Sequence, residues 1–229
     1  MIPMLNPDKN RQAKSKRSKN TIIMCIQIAI PLAIYLFFFQ ARANFRQVVP
    51  DKVYRSAQPT QTQLKDWVEK YKIKTVINLR GNKDKIVAEE RALLDGLGVT
   101  MTNLRLSSSR LPARFILLDL IEMIENAEPP VLIHCRSGID RAGTASALAA
   151  MAIGNANYQT ARWHAYVPPG PWKRKEYKKR LYFHYYLHIS DIFKFYENYC
   201  RSNNLNVDNW QQFKNWVKIT DKLPEVEPK

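Results

Sequence analysis

The chain has 229 residues, 45% hydrophobic and 11% aromatic, which excludes a disordered chain and leaves room for one ordinary domain plus extensions. Its formal net charge of +16 points to anionic partners as a class: phosphate esters, anionic lipid headgroups or nucleic acid. The three cysteines, Cys25, Cys135 and Cys200, form no C-x-x-C pair, which excludes zinc ribbons and thioredoxin-like redox motifs.

The first segment, residues 1–20, is basic: Lys9, Arg11, Lys14, Lys16, Arg17 and Lys19 stand against Asp8. Residues 21–40 follow as a transmembrane anchor or signal core. Within them the run from Ile22 to Phe39 carries no charge, and its only strongly polar residue is Gln27. Its 18 residues are near the lower limit for a membrane-spanning helix, and Pro31 would kink such a helix without forbidding it. The positive-inside rule keeps the basic segment in the cytoplasm, so a single-pass anchor puts the rest of the chain on the far side, periplasmic if the source is bacterial. Ala41 and Ala43 also form an A-x-A pattern, and cleavage near Ala43 would release a secreted or periplasmic protein. A buried core helix is the third reading of the same run.

From residue 44 the pattern alternates strand and helix. Val53–Ser56 is a short extended piece. Thr60 caps a helix through Tyr71 with Leu64, Trp67, Val68 and Tyr71 on one face. The β-branched run Thr75–Arg80 reads as a buried strand. A helix from Asp84 to Leu97 is stopped by Gly98, and Val99–Leu106 reads as a strand. Pro112 opens a helix bearing Phe115, Leu118, Ile121, Met123 and Ile124, which ends before Pro129-Pro130. Val131–Cys135 is another buried strand, and small residues from Ala142 to Ile153 form a helix. This spacing predicts an α/β fold: a mainly parallel central sheet flanked by helices, preceded by one N-terminal transmembrane or signal helix.

Ligands in such sheets bind beyond the carboxyl ends of the strands, where Cys135 lies, so residues 44–170 make a catalytic domain. Residues 171–229 make a helical extension packed on it, with Tyr182 to Tyr196 as a long aromatic helix. Lys173, Arg174, Lys175, Lys178, Lys179 and Arg180 read as a solvated face.

The chemistry concentrates in Val131-Leu-Ile-His-Cys-Arg-Ser-Gly-Ile-Asp-Arg-Ala-Gly-Thr144. A thiolate, not a thiol, attacks, and a helix N-terminus with inward loop N–H groups favours the thiolate. The same N–H groups, from residues 136–141, form a nest for phosphate oxygens. Arg136, Ser137, Gly138, Ile139, Asp140 and Arg141 are therefore the candidate phosphate-binding residues. Gly138 lets the backbone turn, and Arg141 offers a bidentate fork. His134 can hold the cysteine's backbone. Attack by Cys135 gives a cysteinyl-phosphate that water then hydrolyses. No cluster has metal-ligand spacing, and no cofactor is expected.

His134-Cys135-Arg136-Ser137-Gly138-Ile139-Asp140-Arg141 resembles the signature of the dual-specificity branch of the protein tyrosine phosphatase superfamily. Val53-Tyr-Arg-Ser-Ala-Gln-Pro59 with Thr75-Val-Ile-Asn-Leu-Arg-Gly81 looks like the opening of its bacterial members. The resemblance covers roughly residues 46–166 and implies the family's fold, its metal-independent mechanism, and Cys135 with Arg141 in their roles.

Two departures stand out. The family usually has Ser or Thr after the arginine, a hydroxyl that eases the sulfur's departure, and here the residue is Ala142. The family's general acid is usually an aspartate on an upstream loop, but Thr100 to Arg114 holds no Asp or Glu. Asp95 and Asp119 are the nearest substitutes. Asp140 is another, since lipid phosphatases of the myotubularin type carry an aspartate there. Asp140 is read either as the proton donor or as a loop carboxylate that pairs with an arginine.

The expected activity is hydrolysis of a phosphomonoester: a phosphorylated protein, a phospholipid such as a phosphoinositide, or a small phosphate ester. The alternative is a phosphatase-fold module that binds phosphorylated ligands with little turnover. Nucleic acid is not an expected partner, because no zinc finger, helix-turn-helix or aromatic sheet motif accompanies the charge.

Overall fold

A computed structural model describes residues 23–32, 43–81, 85–108, 110–165 and 188–225. The chain divides into two compact units, Met1–Arg42 and Ala43–Lys229. In the first, residues 23–32 are helical and exposed. No helix among the described residues is long and apolar enough to cross a membrane. The basic segment, the rest of the expected anchor and the positions just before Ala43 lie outside the described residues. So do Pro168–Pro171, the second basic cluster and the aromatic positions up to Leu187.

The second unit is built on a five-stranded sheet: β1 (Arg46–Val49), β2 (Val53–Ser56), β3 (Thr75–Asn78), β4 (Thr100–Asn103) and β5 (Val131–His134). The spatial order is β1-β2-β5-β3-β4. β1 pairs antiparallel with β2, and every other pair is parallel. The sheet is therefore mainly parallel, as the alternating pattern predicts. Ser56 and Asn78 both pair with His134, and Asn78 pairs with Asn103. Four strands thus end in register, which puts Cys135 at the centre of one rim.

Helices cover both faces. Strand side chains alternate, so Tyr54, Val76 and Leu132 pack with α1 (Gln61–Tyr71) and α2 (Lys85–Gly96), while Val53, Ile77, Val131 and Ile133 pack on the other side. That second side holds α3 (Arg114–Glu125), α4 (Asp140–Ala152), α5 (Tyr158–Arg162), α6 (Asp191–Ser202) and α7 (Trp210–Ile219). Leu117, Leu120, Ile121 and Ile124 form the buried stripe of α3, and each such side chain contributes about 1.5–3 kcal/mol. Every residue of α4 from Ala142 to Met151 is buried, which only a helix of small side chains can achieve between a sheet and other helices.

Several boundaries differ from the sequence reading. β4 stops at Asn103, because Leu104 and Leu106 are buried in the loop after it rather than in a ladder. α4 begins at Asp140, so Asp140 and Arg141 stand in its first turn. β1 and α7 have no counterpart in that reading; β1 is short and mostly exposed. Of the expected long aromatic helix from Tyr182 to Tyr196, the part up to Leu187 lies outside the described residues, His188–Ser190 is a turn, and α6 starts at Asp191. There the Asp191 carboxylate accepts the His188 backbone N–H (2.7 Å) and fixes a turn.

Candidate active site

β5 is buried along its whole length and delivers Cys135, 1% exposed, to the rim. The chain then turns through Gly138, whose φ is +67°. A Cβ there would lie 2.5 Å from Ala57 N and 2.7 Å from Ser56 O, so only glycine fits against the end of β2. The Gly138 N–H donates to Cys135 Sγ at 3.3 Å.

The loop's carbonyls are engaged elsewhere. Asn44 Nδ2 donates to Ser137 O (3.3 Å) and Gly138 O (3.0 Å), and Gln58 N–H donates to Arg136 O (3.3 Å). With those carbonyls occupied, the loop's N–H groups are left for the sulfur and for phosphate oxygens. Arg136 and Ser137 are exposed at the mouth, and Ile139 is half-buried.

Arg141 reaches across the rim. Its Nη1 donates to Leu79 O (3.1 Å) and Leu106 O (3.4 Å), the carbonyls that follow β3 and β4. Its Nε is buried with no hydrogen-bond partner, which leaves a donor of the fork for an anion.

His134 is fully buried, and its Nε2 stands 2.6 Å from Glu90 Oε1 of α2. The other Glu90 oxygen accepts from Gln58 Nε2 and Asn78 Nδ2, both at 3.0 Å. Burial pushes the Glu90 carboxyl up, but the hydrogen bond and charge of His134, with Gln58 and Asn78, bring it below the usual carboxylate range. His134 therefore pairs the cysteine strand with α2, and its Nδ1 has no hydrogen-bond partner among the described residues.

Residues 41–166 match the family described as DSP-PTPase phosphatase fused to NAD+ kinase. The chain belongs to this family. It is accordingly a protein tyrosine/dual-specificity phosphatase-like hydrolase, as the cysteine–arginine signature implies. No curated protein matches it. Among solved structures it is similar to the core catalytic domain of the PP-IP phosphatase Siw14 from S. cerevisiae in complex with citrate. The identity is 20% and the TM-score 0.47, over 70% of this chain and 93% of that one. It is also similar to TpbA from P. aeruginosa in complex with pTyr, at 23% identity and a TM-score of 0.43, over 54% of this chain and 72% of that one. Membership rests on the family match.

In this DSP-PTPase-family protein, Asp140 Oδ1 lies 3.2 Å from His188 Nε2. His188 comes from beyond the matched region. Asp95 and Asp119 are exposed on α2 and α3. Ala142 and Thr144 are both buried on α4; the Thr144 hydroxyl has no hydrogen-bond partner, and the hydrogen bond to Sγ comes from Gly138.

The phosphatase site also draws on residues that sequence reasoning missed. Glu90 could have been found as the one acid in the apolar stripe of Val87, Glu90 and Leu94. Arg55 sits inside β2, buried, with Nη1 donating to His164 O (2.6 Å) and Nε unpartnered. Burial pushes its guanidinium down to about 10, Arg46 adds to this, and Cys135 opposes it. Burial and the Arg55 charge likewise hold His164 below the usual imidazole range. Asn44 had no signal, since a lone asparagine before a strand reads as a turn residue.

Proposed function

We propose that the chain hydrolyses phosphomonoesters through a cysteinyl-phosphate on Cys135. The observation that carries this reading is the combination at one rim of a buried sulfur accepting from Gly138 N–H and an Arg141 fork whose Nε lacks a partner. A phosphate seated there has its oxygens on the loop N–H groups of residues 136–141 and on Arg141. Sγ attacks phosphorus opposite the leaving oxygen; the S–P bond forms as the P–O bond breaks. Water then attacks the cysteinyl-phosphate, and Cys135 leaves as thiolate. Asp140 gives the proton to the leaving oxygen and takes one from the attacking water.

The substrate in this reading carries further negative charge, as a phosphoinositide or another phospholipid does. Arg136 is exposed on the loop, and Arg105 is exposed on the segment after β4. Full-length protein should hydrolyse a nitrophenyl phosphate, and Cys135→Ser should reduce turnover to the buffer background, because a serine hydroxyl is barely ionised at neutral pH. Residual enzymatic turnover in that variant would sink the mechanism. Ala142 favours a second reading, a phosphate-binding module with a slow second step. A burst of released alcohol equal to the enzyme present, without steady-state release of phosphate, would select it.

The uncharged run from Ile22 to Phe39 supports a single-pass anchor with the catalytic unit on the far side of the membrane. A C-terminal alkaline phosphatase fusion should be active if the catalytic unit is exported, and should stay in the membrane fraction if the run is an uncleaved anchor. Activity of a cytoplasm-only reporter at the same position would reverse the topology.

A further inference from the structure

The family match ends at residue 166, yet a side chain from beyond it stands on the first turn of the active-site helix. His188 Nε2 is 3.2 Å from Asp140 Oδ1, and the two side chains are only 18% and 17% exposed. The tautomer follows from the other ring nitrogen. The Ser190 backbone N–H donates to His188 Nδ1 at 3.2 Å, and Ser190 Oγ lies 2.7 Å from the same atom. An N–H can only donate, so Nδ1 accepts, and the proton of the neutral ring sits on Nε2, facing Asp140.

The histidine is itself held in place. Asp191 Oδ2 accepts the His188 backbone N–H at 2.7 Å, the Asp191 N–H donates to His188 O at 2.9 Å, and the neighbouring Ile189 is fully buried. An imidazole on a packed turn is a fixed donor.

We propose that His188 is the positioning residue for proton transfer by Asp140, so that the segment beyond the family domain completes the site. This rests on the reading of Asp140 as the proton carrier. The Nε2–H bond on Oδ1 sets the rotation of the carboxyl group, and the proton to be moved is then carried on Oδ2. In the first step Oδ2–H protonates the leaving oxygen as the P–O bond breaks. In the second, the Asp140 carboxylate takes a proton from water as the new O–P bond forms and the S–P bond breaks, which restores the acid. A hydrogen bond to Oδ1 is compatible with both protonation states, so one donor can serve both steps.

The test compares a nitrophenyl phosphate with an alkyl phosphate in the full chain, for Asp140→Asn, His188→Ala, His188→Gln and the double variant Asp140→Asn/His188→Ala. A nitrophenolate leaves without a proton and an alkoxide does not. His188→Ala should therefore lower kcat/KM, which reports formation of the phosphoenzyme only, about 10- to 100-fold for the alkyl ester and barely for the nitrophenyl ester, and the losses compared below are losses in kcat/KM. His188→Gln, which keeps an N–H donor, should recover most of that loss, and it serves as the folded reference if the alanine variant does not fold. The double variant should lose no more than Asp140→Asn alone, because both changes remove one function.

Equal losses on both esters, no rescue by Gln, or multiplying losses in the double variant would reduce His188 to a docking contact. A leaving-group-dependent loss in Asp140→Asn with none in His188→Ala would overturn the His188 role alone. No such dependence in Asp140→Asn would overturn the Asp140 reading and His188 with it.

Discussion

A carboxylate at 3% exposure is tolerated only when it is paired, and Glu90 is paired by His134, Gln58 and Asn78. Because its folded-state pKa lies below the usual 4.5, Glu90 contributes stability above that pH and loses it as pH falls through the folded value. Glu90→Gln should cost about 1–3 kcal/mol near neutrality, where hydrogen bonds to the charged form are lost. It should also flatten the acid limb of the melting-temperature profile below about pH 4.5. Equal stability and an unchanged acid limb would show that the pair does not hold the rim together. At this scale Cys135, Gly138 and Arg141 were legible because their chemistry is contiguous along the chain. Glu90, Arg55, Asn44 and His188 were not, because each partner comes from a distant element. Glu90 meets His134, Arg55 meets His164, and Asn44 meets the carbonyls of Ser137 and Gly138.

Elements read well where one physical signal dominates. Thr60 closes a capping box with Gln63, so the start of α1 is written in four residues. β3 and β5 are continuous buried apolar runs, the pattern of strands covered on both faces. Elements set by tertiary context were missed. β1 has a mostly exposed strand pattern and is defined by its antiparallel pairing with β2. The first turn of α4 was placed too late because Asp140 and Arg141 look like loop residues. Yet Gly143 N–H bonds back to Ile139 O at 2.8 Å and starts the helix there. The turn ahead of α6 is hidden for a similar reason: aromatic spacing continues across it, while Asp191 and Ser190 fold the turn that presents His188.

For the whole molecule, the order β1-β2-β5-β3-β4 is the decisive fact. It puts β5 between β2 and β3, so Cys135 emerges with a strand on either side, whose ends supply Ser56 and Asn78 as neighbours. α4 then places its positive end under the phosphate loop, and the C-terminal helices cover the same face of the sheet. The proposed chemistry at this rim centres on the covalent step. Rapid denaturing quench at alkaline pH during turnover, followed by peptide mapping by mass spectrometry, tests that step most directly. The account predicts a phosphoryl adduct on the peptide that contains Cys135, formed at the rate of the first step and absent in Cys135→Ser. An adduct on another residue, or wild-type turnover with no adduct under conditions that trap the intermediate, would contradict it.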